Sequence, residues 1–307
     1  MSRIRIGTRG SALALAQSNW VKAQLQQHDP DLVIELHVIK TSGDRFAETP
    51  LQTLGNKGAF TKEIDDALLR GEIDLAVHSM KDLPTRLAPG LIIAAVPKRE
   101  DPRDALVTPG KSTLRDLAFG TTVGTGSLRR RAQLLHHRSD LSIVPIRGNV
   151  DTRLRKLDEG QVGALVMAAA GLKRIGRADR ISEILADEVC VSAVAQGALA
   201  IESREENALR DRLGSLDDPA SRAEIAAERA MLDCLGGDCQ VPIGARATAS
   251  GGDLKMIGIV ASTDGSRLCR SQITGSTHQA ADLGRYLANQ LLSQGADKLL
   301  AAPATER

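Results

Sequence analysis

The chain has 307 residues, 42% of them hydrophobic and 25% charged, and 40 Lys plus Arg against 38 Asp plus Glu leave a formal charge of +2. That length exceeds one comfortable hydrophobic core and predicts two or three domains. The balanced charge excludes a generally basic binder of nucleic acid or membrane surfaces, leaving only local patches to explain.

Aromatic residues make up 2% of the chain, too few for the stacking platforms of single-stranded nucleic-acid binders. Cys190, Cys234, Cys239 and Cys269 form no C-x-x-C pair and the six histidines are scattered, so zinc-ligand spacing is absent and no metal is expected. At the N-terminus, Arg3, Arg5 and Arg9 precede SALALA as in a signal peptide, but Gln17, Ser18 and Asn19 cut the apolar run short. No stretch approaches the ~18 apolar residues of a bilayer span. These features predict a cytoplasmic protein with free thiols and no membrane partner.

RIRIG (3–7) reads as a strand, and Leu13, Ala16, Trp20, Val21 and Leu25 then recur at helical spacing. LVIELHVIK (32–40) alternates as a strand, and residues 41–60 are long, glycine-bearing and aperiodic, which predicts a binding lid. A helix from near Thr61 leads to the apolar strand IDLAVHS (73–79), and LIIAAV (91–96) is a further strand. The charged, proline-punctuated segment 97–104 predicts a crossing into a second domain.

There TTVGTG, SIVPIRG and GALVMAAAG read as strands, each followed by helical signals, with Ser127 and Asn149 as N-caps. The apolar run 189–203 predicts a return crossing. After Pro219 a helix carrying Ile225, Ala230, Met231 and Leu235 leads to GGDC, followed by strands such as LKMIGIVAS and RLCRSQITG and a helix near 278–293. The expected architecture is α/β: two lobes with a cleft between them, from 1–97 plus 198–216 and from 103–192, and a small α+β C-terminal domain over 219–307.

Strand ends followed by helix N-termini favour anions, because unpaired backbone N–H groups and the helix dipole converge there. Arg9 and Ser11 follow the first strand, Ser79 and Lys81 follow 73–79, and Thr125, Ser127, Arg129 and Arg130 follow TTVGTG. Arg147 and Arg153 flank the next helix start, and Arg174 follows the next strand. Any one arginine is accounted for by a surface ion pair, whereas the repetition at successive strand ends points to an anionic, carboxylated ligand. Asp82 lies just past a buried strand beside Lys81, a place suited to an acid facing developing positive charge or simply to a turn before Pro84. Cys239, in GGDCQVPIGA, is either a reactive thiol or a small buried hydrophobe. Arg131, third in its run, reads as structural.

In family order, IGTRGSALALAQ, NKGAFTKEID, AVHSMKDLPT, GTGSLRRRAQL, RGNVDTRL, AAAGLKRI, AVAQGALAIE and GGDCQVPIGA cover about residues 3–245. The chain thereby closely resembles the porphobilinogen deaminase (hydroxymethylbilane synthase) family. The resemblance implies a fold whose first two domains are like a two-lobed periplasmic binding protein. It also implies a dipyrromethane cofactor held by a thioether to Cys239, porphobilinogen as substrate, and a monomer without metal. Four porphobilinogens would be deaminated and joined head to tail, and water would release hydroxymethylbilane for tetrapyrrole and heme biosynthesis.

On this resemblance Asp82 is the catalytic aspartate. Ser79, Lys81, Thr125, Ser127, Arg129, Arg130, Arg147 and Gln196 would bind the cofactor, and Arg9, Ser11, Lys57, Phe60, Arg153 and Arg174 the substrate, with Lys57 and Phe60 in the lid. Asp238, where glycine is more usual in the family, would raise the neighbouring thiol's pKa and slow attachment. Two other readings stand beside the transferase. A two-lobed anion binder would have no use for the Cys239 loop, and a cysteine hydrolase would need a histidine such as His78 brought to the thiol.

Overall fold

The computed structural model describes residues 3–45, 61–207, 209–236 and 241–301. Lys57, Phe60, Asp238, Cys239 and most of the expected lid lie outside the described residues. The chain runs β1 (Arg3–Thr8), α1 (Ala12–His28), β2 (Val33–Val38), α2 (Ser42–Arg45), α3 (Lys62–Leu69), β3 (Leu75–Ser79) and β4 (Leu91–Ala95). It continues through β5 (Asp104–Val107), β6 (Thr122–Gly124), α4 (Leu128–His137), β7 (Ser142–Val144), α5 (Val150–Asp158), β8 (Ala164–Ala168), α6 (Ala169–Arg174) and β9 (Glu183–Ile184). Then come β10 (Leu199–Arg204), α7 (Arg210–Gly214), α8 (Pro219–Cys234), β11 (Ile243–Ser250), β12 (Asp253–Ala261), β13 (Leu268–Ser276), α9 (Ala280–Ser293) and α10 (Ala296–Ala301). Two compact units result, residues 1–100 with 198–222 and residues 101–197 with 223–307.

The first unit holds a five-stranded sheet in the order β2-β1-β3-β10-β4. Strand β1 is parallel to β2 and β3, whereas β10 is antiparallel to β3 and β4. Alternation along β3 sorts its side chains between two layers. Leu75 and Val77 join Ile4, Ile6, Val21, Leu25 and Ile201 in the core that includes α1, while Ala76 joins Ile64, Ala67 and Leu68 of α3. Ser11 caps α1 by accepting from the Ala14 amide at 3.2 Å.

The second unit repeats the plan, with order β7-β6-β8-β5-β9. Its strands β7, β6 and β8 are mutually parallel, and β5 is antiparallel to both of its neighbours, β8 and β9. In both sheets the fourth strand is therefore antiparallel and lies next to a chain crossing. The expected caps are present: Ser127 accepts from the Arg130 amide and Asn149 from the Thr152 amide. The three-stranded meander β11-β12-β13 packs on α9, and Gly284 there lies so close to α8 that a Cβ would meet the Ala227 carbonyl at 2.0 Å.

The α/β class and the small α+β C-terminal part agree with the sequence reading. Both expected crossings contain a unit boundary, at 100/101 and 197/198, and each also reaches into a strand. The segment 97–104 is not wholly connection, since Asp104 opens β5, a strand of only four residues that is too short to show a period. The run 189–203 ends as strand β10, which lies between β3 and β4 and is therefore apolar for a sheet-core reason. Strands β9 and β11 and helices α7 and α10 were not foreseen.

One carboxylate organises the second unit's interior. Asp104 is fully buried and takes the Arg129 guanidinium at 2.7 Å and the Arg130 Nε at 2.9 Å. Gln196 Nε2 reaches the same carboxylate at 2.8 Å and the Pro102 carbonyl at 2.7 Å. Arg129 also donates to the Val191 carbonyl and Arg130 to the Val166 carbonyl. Burial pushes the Asp104 pKa up, but the two guanidiniums outweigh it and hold the acid well below the usual carboxylate range.

A depressed pKa contributes stability above the unfolded value, and that contribution fades as the pH falls toward the folded value. Replacing Asp104 with Asn leaves two buried guanidiniums without a counter-charge, at a cost of about 3–5 kcal/mol. Urea unfolding of D104N at neutral pH should show this loss, and the gap to wild type should narrow in acid. Equal midpoints at neutral pH would remove Asp104 from its structural role.

Candidate functional site

The first unit carries an open pocket at the C-terminal ends of β1 and β3, where parallel sheets bind ligands. Its lining includes Arg9, Ser11, Gln17, Thr61, His78, Ser79 and Asp82. Four of the expected residues thus come together, since Arg9, Ser11, Ser79 and Asp82 arrive from two different strand ends. Asp82 is exposed at the end of a single 3-10 turn, Met80–Asp82. Buried Met80 and Leu83 anchor the turn on either side, and the Met80 amide donates to the Ala198 carbonyl at 3.0 Å. A short, doubly anchored turn limits where the carboxylate can go. Lys81 is half-buried on the same turn.

Gln17 and Thr61 escaped the sequence reading. Gln17 is 3% exposed and its amide donates to the Ser79 hydroxyl at 2.9 Å, so α1 orients a residue of β3. The signal was legible: Gln17 occupies a core position between Leu13 and Val21 on α1, and a polar residue there needs a buried partner. Behind the pocket lie two more missed acids, Glu202 on β10 and Asp65 on α3. His78 Nε2 comes within 3.0 Å of the Glu202 carboxylate, and both residues are buried. His78 thus faces an acid on its own sheet.

In the second unit the expected residues surround the strand-to-helix turns after β6, β7 and β8. Thr125 is buried and its hydroxyl accepts from the Ser127 amide at 3.3 Å. Arg129, Arg130 and Gln196 converge on Asp104, an acid that sequence reasoning left in the connecting segment. Arg147 is exposed, and Arg153 donates from Nε to the Gly148 carbonyl at 2.8 Å. Arg174 donates to the Gly197 carbonyl, beside Gln196.

The electrostatic state of Arg153 is the most informative. Desolvation, and then the charges of Arg130 and Arg147, lower its pKa to about 10. Burial and the neighbouring charges of Arg130 and Arg147 therefore disfavour the Arg153 cation. An anion with several carboxylates would offset this with bidentate hydrogen bonds. The donor set consequently fits a dipyrromethane bearing acetate and propionate arms. Among the described residues no group of three or more His, Cys, Asp or Glu could hold a metal ion.

Comparison with known proteins gives the same answer independently. The family profile described as "Porphobilinogen deaminase, dipyromethane cofactor binding domain" matches residues 4–211, and the one described as "Porphobilinogen deaminase, C-terminal domain" matches residues 222–293. A porphobilinogen deaminase from Syntrophotalea carbinolica is 49% identical over 302 residues, covering 98% of this chain and 96% of that one. Another from Trichlorobacter lovleyi is 49% identical over 299 residues, covering 97% and 96%. Among solved structures, the methionine binding protein MetQ aligns with 70% of this chain and 88% of its own, at 16% identity and a TM-score of 0.44. With profiles matching both parts of the sequence and relatives of this identity spanning nearly all of it, the chain belongs to the porphobilinogen deaminase family.

Proposed function

We propose that Asp82, in the pocket of the first unit, is the carboxylate that promotes deamination and condensation of porphobilinogen, and that the arginine-bearing turns of the second unit hold carboxylate arms. The enzyme class itself follows from the family: the chain is a hydroxymethylbilane synthase, a transferase of tetrapyrrole biosynthesis that uses a dipyrromethane cofactor. When bound, that cofactor supplies the pyrrole carbon from which the product chain grows. The observation supporting the site assignment is the convergence of Arg9, Ser11, Ser79 and Asp82 on one pocket at the strand ends.

The roles follow from charge. Porphobilinogen brings two carboxylates and an aminomethyl group that departs as ammonia, leaving a cation spread over the pyrrole. Arg9 supplies a guanidinium for a carboxylate, and Ser11 and Ser79 supply hydroxyls, the latter held by Gln17. Asp82 accepts from the pyrrole N–H and lowers the energy of the cation, in the sense of a charge preorganised where the opposite charge develops. Arg147, Arg153 and Arg174 meet the acidic arms, with Lys81, Thr125, Ser127, Arg130 and Gln196 completing the cofactor's surroundings. Arg129 works from behind, through Asp104. Cys239 is the attachment point, and Lys57 and Phe60 are assigned to the substrate. The protein acts as a cytoplasmic monomer, and among the described residues no helix is long and apolar enough to cross a membrane.

Asp82→Asn keeps the shape of the turn and removes the charge. The variant should retain the mass of the bound cofactor while kcat for porphobilinogen consumption falls about 100-fold, the scale seen when a preorganised charge partner is removed. A rate within a few-fold of wild type would refute the role. Arg147 is exposed, so Arg147→Ala should fold normally, raise KM about tenfold for the loss of a charged hydrogen bond, and change the distribution of enzyme-bound intermediates seen by mass spectrometry. An unchanged KM and distribution would return Arg147 to an ordinary surface role.

A further inference from the structure

Three ionisable side chains cluster immediately behind the Asp82 pocket, with His78 and Glu202 buried and Asp65 half-buried. Glu202 is fully buried and neither of its carboxylate oxygens has a hydrogen-bond partner. His78 Nε2 lies 3.0 Å from it, yet it is not aligned for a hydrogen bond. Asp65 presents a buried, unpartnered Oδ1 from α3. The geometry follows from strand pairing: Ala76 faces Glu202 and Ala200 faces His78 across the antiparallel β3–β10 pair, so Glu202 and His78 are diagonal neighbours on the α3 side of the sheet. Two residues connect the cluster to the pocket, since His78 and Thr61 line the pocket and Thr61 hydrogen-bonds Asp65.

Burying Glu202 without a hydrogen bond is destabilising, and a neutral apolar residue would pack there at lower cost. We propose that Asp65 and Glu202 are positioning residues for the reaction in the pocket. The negative charge that Asp65 adds on ionisation lowers the energy of the cation formed when porphobilinogen loses ammonia. In that step the C–N bond breaks with its electron pair going to nitrogen, and the positive charge passes from the ammonium to the pyrrole methylene system. A carboxylate pair held in a poorly solvated layer acts on that charge over a longer distance than it would through water. The proposal rests on Asp82's pocket being the place of this step.

The ionisation falls where activity can report it. Burial, and then the Glu202 charge, raise the Asp65 pKa from 3.8 to about 6, with His78 and the Thr61 hydrogen bond acting in the opposite direction and Asp66 adding to the rise. Of the other charges on the surrounding elements, Arg5 of β1 pairs with Asp74, Arg3 with Glu35, Arg204 of β10 donates to the Leu68 and Ile73 carbonyls, and Glu63 of α3 accepts from Ser42 through one oxygen, while Lys62 of α3 is exposed and Asp66 half-buried. Strand β4 brings no ionisable side chain. Because the folded value is raised, the stability linked to this group is complete below the unfolded value and is lost as the pH rises through about 6.

The test is the pH dependence of kcat and of thermal melting for wild-type holoenzyme, Asp65→Asn and Glu202→Gln, with a ¹³C NMR titration of Asp65 in protein without cofactor. Wild-type kcat should rise across an ionisation near pH 6. Asp65→Asn should keep the cofactor mass, lack that step, and show kcat about tenfold lower at pH 8, while melting about 2–4 °C higher there and unchanged in acid. Glu202→Gln should move the Asp65 titration to lower pH. The proposal is overturned if Asp65→Asn retains the step and a kcat within twofold of wild type at pH 8, or if Glu202→Gln leaves the Asp65 titration in place. Loss of the pocket assignment through Asp82→Asn would be separate, because the melting and NMR readouts do not depend on turnover.

Discussion

A guanidinium taken out of water must be matched by negative charge, and in the second unit one buried carboxylate meets that requirement for two arginines at once. Asp104 satisfies Arg129 and Arg130 from within the core and fixes the start of α4 against the segment carrying Gln196. Arg153 stands differently: burial and the charges of Arg130 and Arg147 lower its pKa to about 10. An anion beside it would favour its charged form, which is the electrostatic support for the proposed carboxylate-binding role of these turns.

The first unit uses the opposite sign. Its pocket combines one arginine with Asp82, and behind it the sheet hides Glu202 and Asp65 instead of cations. Carboxylate arms and a transient cation make contrary electrostatic demands on one enzyme. The two sheets share one strand order, and each has an interior acid. The antiparallel fourth strand of each sheet supplies that interior acid, Glu202 from β10 and Asp104 from β5.

Much of the arrangement was legible in the sequence because helix N-caps and strand-end basic residues are local features. Ser127 and Asn149 cap where their spacing predicts, and Arg9, Ser11, Ser79 and Asp82 follow strands that bring them together. What escaped notice depends on pairing between distant segments. Asp104 looks like the end of a charged connection until β5 is seen beside β8, and Glu202 looks like one interruption in an apolar run until β10 is placed between two strands. Gln17 was the missed residue with the plainest local clue, a polar side chain on the buried face of α1. No single-residue pattern reports that Arg129 turns inward while Arg147, in a similar turn, faces out.

The proposed covalent attachment of the dipyrromethane at Cys239 is tested most directly by the intact mass of the denatured, purified chain. The account predicts a mass exceeding that of the polypeptide by two linked pyrrole units, with the excess absent when Cys239 is replaced by serine. A fully active chain with the bare polypeptide mass would contradict it.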